Sequence, residues 1–138
     1  MDKNTKELGL GTVAIDLDGV LAKYDGWKVH GRHNIGAPQK GAKEFVEAIR
    51  KKYRVTVFTC RTKIASSPDA QKYHDPAIWL RNIVIDWLEK HNIPYDNIYI
   101  GQGKPHAVYY IDDRGVRLNH KENPDAFADT LDFMGIKQ

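Results

Sequence analysis

The chain has little that would cross-link it or hold it in a membrane. Its 138 residues include a single cysteine, Cys60, which excludes an internal disulfide and a thiolate-cage zinc site. The six histidines show no paired ligand spacing on one helix, which speaks against a histidine zinc site as well. No apolar run approaches the roughly 20 residues that a bilayer span requires. The polar run Met1-Asp2-Lys3-Asn4-Thr5-Lys6-Glu7 lacks the apolar core of a signal peptide, so a cytoplasmic location without membrane contact is expected. Repeats, low-complexity tracts and linkers are missing too, and one domain spanning 1–138 is the expectation. A large excess of charge is also lacking. With 21 Lys and Arg against 18 Asp and Glu, the net charge is +3, enough to admit an anionic substrate but not to argue for nucleic acid.

What is present is the composition of a soluble core-forming chain, 41% hydrophobic and 28% charged, patterned as strands alternating with helices. Val13-Ala14-Ile15 reads as a buried strand. Gly36 to Gly41 is a turn-rich approach to a helix on which Ala42, Phe45, Val46 and Ile49 form one apolar face. Arg54-Val55-Thr56-Val57-Phe58 is short and β-branched, a second strand. Asp75-Pro76 has the form of an N-cap with proline at the first helical position. The helix behind it carries Leu80, Val84, Trp87 and Leu88 and ends near His91-Asn92. Asn97 to Ile100 and Val108 to Ile111 supply two further apolar strands. Asn123-Pro124 repeats the cap-plus-proline signal before a last helix through Phe127 and Leu131. The basic run Arg50-Lys51-Lys52-Tyr53-Arg54 falls where the first helix ends, and cations there complement the helix dipole.

Alternation of this kind predicts a three-layer α/β/α Rossmann-like fold with a mostly parallel sheet, right-handed crossovers and helices on both faces. Ligands in such sheets gather at the carboxyl ends of the strands. That rule places Asp16, Asp18, Thr59 and the Asp112-Asp113 pair along one rim. Two polar segments, about 21–40 and about 62–74, leave the same rim and are expected to flank a substrate, the first as a flap.

Acidic residues at the mouth of an apolar strand are costly unless something there needs negative charge. A hard cation such as Mg²⁺, which takes carboxylate and backbone oxygens, is the usual reason. Asp16, the first acid at the end of its strand, is placed to attack phosphorus while also binding the metal. Asp18 projects toward the same place from the turn and can protonate a leaving oxygen and later deprotonate water. The hydroxyl of Thr59 and the ammonium of Lys104 are donors for phosphoryl oxygens, where charge spreads in the transition state. Asp112 and Asp113 would complete the cation's shell.

These residues carry a resemblance. The chain resembles the haloacid dehalogenase-like hydrolases, whose four short motifs occur here in order. They are Asp16-Leu17-Asp18-Gly19-Val20, Thr59 at the end of a hydrophobic strand, Lys104 within Gly103-Lys104-Pro105-His106, and Ile111-Asp112-Asp113-Arg114. A lone Asp-x-Asp is a weak signal, but four motifs spread from residue 16 to residue 113 are specific. The resemblance implies an Mg²⁺-dependent phosphomonoester hydrolase in which Asp16 becomes an aspartyl-phosphate and Asp18 is the acid and base. It implies that Thr59 and Lys104 hold the phosphoryl group, and that Asp16, Asp18, Asp112 and Asp113 surround the metal. The second Asp of the first motif separates phosphatases from dehalogenases. The gaps between motifs leave no room for a large cap domain. Open sites of that sort take large substrates or borrow a neighbouring subunit as a lid, so a homo-oligomer is compatible with the reading.

The expected substrate is a phosphorylated small molecule, a nucleotide or sugar phosphate, with a nucleic-acid end as a further fit. Arg61 and Arg114 are candidates for a second anionic group of the substrate, and Gly19 and Cys60 for contacts beside them. Cys60 itself reads as a buried small apolar residue rather than a nucleophile. Trp27, Lys28, His30, Arg32 and His33 mix aromatic and basic character in the flap and could clamp a base or sugar phosphate. Trp27, Trp79 and Trp87 need no role beyond packing. Taken singly, Asp16 and Asp18 could cap a turn, and Asp112-Asp113-Arg114 could be a surface ion pair worth roughly 0–1 kcal/mol. A receiver-type signalling module uses similar residues, but its acidic pair comes first in the chain and here it comes last. Transfer to an alcohol, or a binding module without turnover, are the other readings. Gly101-Gln102-Gly103-Lys104 lacks the spacing of a P-loop.

Overall fold

The structure is a computed structural model that describes residues 11–24, 34–60, 76–99 and 104–137. Its described elements run β1 (Thr12–Asp16), α1 (Ala42–Arg50), β2 (Arg54–Phe58), α2 (Pro76–Lys90), β3 (Asn97–Tyr99), β4 (Tyr109–Ile111) and α3 (Ala126–Phe133). The strands form one sheet in the order β3-β2-β1-β4, and every pairing is parallel. This is a small α/β Rossmann-like fold. No helix among the described residues is long and apolar enough to cross a membrane.

Register decides which side chains meet. Val13 pairs with Val55 and Ile15 with Val57, and Val57 pairs in turn with Ile98. Paired residues of parallel strands share a face, so these five form one apolar surface. Ala42 and Val46 of α1 join Val84, Trp87 and Leu88 of α2 in the same core cluster. Both helices lie on this face for a topological reason. The crossovers β1 to β2 and β2 to β3 step the same way along the sheet, and right-handedness then puts both on one side. The step to β4 goes the other way along the sheet, and the Tyr110 hydroxyl of β4 donates to the Pro105 carbonyl at 2.6 Å.

Helix boundaries follow local chemistry. In α1, Ala42, Val46 and Ile49 turn inward, while Phe45, expected on the same face, is 44% exposed. It sits about a quarter-turn off the Ala42–Val46 line. Helix α2 begins with Pro76 at its first position and ends on Asn92, in the left-handed region at φ 56°. The Ile93 N–H donates back to the Leu88 carbonyl at 2.9 Å, a closing bond that asparagine tolerates at this position. Asp75, its expected cap, lies outside the described residues.

One expectation is corrected. Asn123 does not cap the last helix. Its side-chain oxygen accepts the Asp125 N–H at 3.0 Å in a local turn, and the helix starts at Ala126 with Asp125 in the cap position and no side-chain cap bond. Strand β4, read as apolar, is largely exposed. Val108 and Tyr109 are each 54% exposed, because β4 is an outer strand of the described sheet, and aromatic character there does not mean burial.

Candidate active site

The strand order sets the position of the site. Strand β1 has β2 on one side and β4 on the other, so the crossovers diverge at the β1–β4 boundary. A crevice opens there at the carboxyl ends, the place where parallel α/β sheets take ligands. Ile15 pairs with Ile111, so the next residues, Asp16 and Asp112, emerge side by side into that crevice. Sheet register alone thus unites acids 96 positions apart.

A cavity of about 250 Å³ occupies the crevice and is lined by Asp16, Asp18, Tyr24, Cys60, Asp112, Asp113 and Arg114. Carboxylate oxygens of Asp16, Asp112 and Asp113 all lie within 4.8 Å of one another, close enough to share one cation. Burial pushes the Asp16 carboxyl up to about 7, and repulsion from Asp112 adds to the rise. Removing charge from water and crowding it with like charge both favour the protonated form. A divalent cation reverses that balance, and three hard oxygen donors suit Mg²⁺. The donor set therefore fits the expected metal.

The chain after β1 is shaped for this arrangement. Gly19 adopts φ +89°, and a methyl group on it would collide with the Asp113 carboxylate. Its N–H donates to the Ala22 carbonyl at 2.8 Å, and the N–H groups of Leu21 and Ala22 return to the Leu17 carbonyl. One compact turn thus carries Asp18 beyond the strand end while Leu17, Leu21 and Ala22 are buried beneath it. The flap stem is a second fixed feature. Ala22 bridges Pro38 in antiparallel fashion, the Lys23 N–H donates to the Ala37 carbonyl, and the Gln39 N–H donates to the Leu21 carbonyl. The Trp87 indole N–H reaches across from α2 to the Gly36 carbonyl at 3.0 Å.

Not every expected residue sits in the cavity as foreseen. The Asp18 carboxylate is not in the three-acid group; it accepts a long bond from the Thr59 hydroxyl at 3.5 Å. Thr59 is buried at the end of β2, so its hydroxyl serves Asp18. Cys60 is exposed rather than buried, because the chain has left the sheet by that point and opens onto the crevice. Lys104 lines an adjoining cavity of about 420 Å³ with Tyr110, Asp112 and Arg117, its ammonium 4.9 Å from the centre of the Tyr110 ring. Asp112 borders both cavities. Arg114 does line the Asp16 cavity, and its N–H donates to Asp112 Oδ1 at 2.7 Å. Arg61, the flap residues Trp27, Lys28, His30, Arg32 and His33, and the 62–74 loop lie outside the described residues. Tyr24 is the residue that the sequence reading missed. Its signal was an aromatic placed just where the chain leaves the buried Leu21-Ala22 pair.

No protein-family model matches the chain, and no curated protein sequence matches it. Solved structures do. A conserved protein from Bacteroides thetaiotaomicron is similar over 87% of this chain and 91% of its own, with a TM-score of 0.50 and 18% identity. A structural-genomics target from Vibrio cholerae aligns over 86% of this chain and 98% of its own, with a TM-score of 0.46 and 26% identity. The Bacteroides likeness supports the fold alone.

Proposed function

We propose that the chain is an Mg²⁺-dependent phosphomonoester hydrolase of the haloacid dehalogenase-like type, working through an aspartyl-phosphate on Asp16. One observation carries the reading. Asp16, Asp112 and Asp113 converge at the strand-order switch point with their oxygens within 4.8 Å of one another, and Asp18 stands in the same cavity. The order of the four sequence motifs supports it.

Asp16, Asp112 and Asp113 would hold the cation, whose positive charge would offset the repulsion between a carboxylate nucleophile and an anionic ester. In the first step an Asp16 oxygen bonds to phosphorus as the bond from phosphorus to the ester oxygen breaks. Asp18 gives its proton to that departing oxygen, which leaves as the alcohol. In the second step Asp18 takes a proton from water as the water oxygen bonds to phosphorus. The Asp16–phosphorus bond breaks, phosphate departs, and both carboxyl groups return to their starting states. Thr59 orients Asp18 through its hydroxyl. For Lys104 to steady the phosphoryl oxygens, its ammonium must leave the Tyr110 ring and turn past Asp112, a movement within the range of a flexible lysine stem.

The test is phosphate release from p-nitrophenyl phosphate with Mg²⁺, with EDTA, and in Asp16→Asn. Release that needs Mg²⁺ and disappears in the variant is expected. Activity that survives both EDTA and the substitution overturns the hydrolase reading. An acyl phosphate that forms but does not turn over would make the chain a phosphoryl-binding module instead.

A further inference from the structure

We infer that Arg114, flanked by Tyr24, receives the leaving group of the substrate, and that this group carries a second negative charge. The inference deepens the hydrolase reading and rests on it.

The state of the Arg114 side chain is the first observation. Arg114 lines a cavity bordered by four carboxylates, yet among the described residues its exposed side chain takes part in no hydrogen bond or ion pair. Only its backbone N–H bonds to Asp112. Two other arginines of the chain behave differently. Arg50 grips Asp96 through two nitrogens, at 3.2 and 3.0 Å, and Arg117 holds Glu122 through two as well. Arg114 instead presents a planar fork of donors suited to a bidentate anion.

Its backbone is tied down. The bond from the Arg114 N–H to Asp112 Oδ1 makes a tight turn, which sets the start of the Arg114 side chain relative to a proposed metal ligand. The three-acid cluster repels an anion unless a cation is bound, so the phosphoryl end belongs with the metal. A second anion then requires a separate positive group, and Arg114 is the one cation among the described residues lining this cavity.

Tyr24 is the second wall. It projects from the flap stem, whose two segments are bonded to each other through the Lys23 N–H and the Ala37 carbonyl. The stem is also bonded to α2 through Trp87 and Gly36. Gly36 permits the close approach of the two stem segments, since a side chain there would run into the Lys23 carbonyl. The aromatic surface is therefore carried on a braced support. The group that departs is then an alcohol or phenol bearing a carboxylate or a second phosphate.

Three substrates test this: phenyl phosphate, 4-carboxyphenyl phosphate and 1,4-phenylene bisphosphate, each with Mg²⁺. We expect at least one doubly anionic substrate to exceed phenyl phosphate in kcat/KM by on the order of tenfold, mainly through KM. The substrate that gains identifies the anion as carboxylate or phosphate. The preference should collapse in Arg114→Gln and return in part in Arg114→Lys. Equal kcat/KM for all three, or a preference unchanged by Arg114→Gln, overturns the inference while leaving the hydrolase reading standing. Calorimetric titration with phenylphosphonate and 4-carboxyphenylphosphonate makes the same comparison without turnover. Equal affinities there overturn the inference even in a chain that releases no phosphate.

Discussion

The carboxylate of Asp113 lies against the backbone of Gly19, so closely that a methyl group at Gly19 would collide with Asp113 Oδ2. Two chain segments far apart in sequence therefore meet at a glycine held at φ +89°. Gly19→Ala adds both a side chain and left-handed strain, the strain alone worth about 1–2 kcal/mol. We predict a lower melting temperature and weaker Mg²⁺ binding by calorimetry. Adding Asp113→Ser should recover part of the lost stability by removing the collision, but none of the lost metal affinity.

Asp16 titrates near 7 in the folded, metal-free chain instead of at its ordinary value of 3.8. Between those values the folded chain keeps a proton that the unfolded chain has lost, so stability falls as pH rises from about 4 to about 7. Urea denaturation in EDTA should show this decline. In Asp16→Asn it should be largely absent. Mg²⁺ should offset it most at pH 7 and above, where no proton competes for the carboxylate.

Repulsion from Asp112 contributes to that raised value, after burial. Removing its charge should therefore stabilise the apo chain and harm the metal site together. We predict that Asp112→Asn is more stable than the parent at pH 8 in EDTA and binds Mg²⁺ at least about tenfold more weakly. Measuring both quantities on one preparation checks the trade.

A structural pair behaves in the opposite way. Asp96 holds Arg50 through both carboxylate oxygens and accepts the Val55 N–H at 2.8 Å, tying the end of α1 and the start of β3 to β2. Asp96→Ala leaves a strand N–H and a half-buried guanidinium without these partners, a loss of about 2–3 kcal/mol. Chemical denaturation should register it at pH 7, while the Mg²⁺ affinity of the distant rim stays unchanged.

The alternation of β-branched runs with helical apolar spacing made the Rossmann-like α/β class legible in the sequence, because backbone periodicity is a local property. So were the strand-end acids, since a carboxylate after an apolar strand is conspicuous in any context. Phe45, Cys60 and Tyr109 were not legible, for burial depends on what packs opposite, and one-dimensional hydrophobicity does not carry that information. Asn123 shows the same limit at short range, where an asparagine can serve a turn or a cap with equal local logic.

By itself, then, the sequence determined the element types, the parallel connectivity and the residues able to hold a cation. Only the tertiary structure decided that Asp16 and Asp112 stand side by side, that Thr59 serves Asp18, that Lys104 rests on Tyr110, and that Tyr24 and Arg114 share the cavity. The physical reason is register and strand order: pairing Ile15 with Ile111 converts two distant stretches into one crevice, and that pairing is set by the packing of the whole sheet.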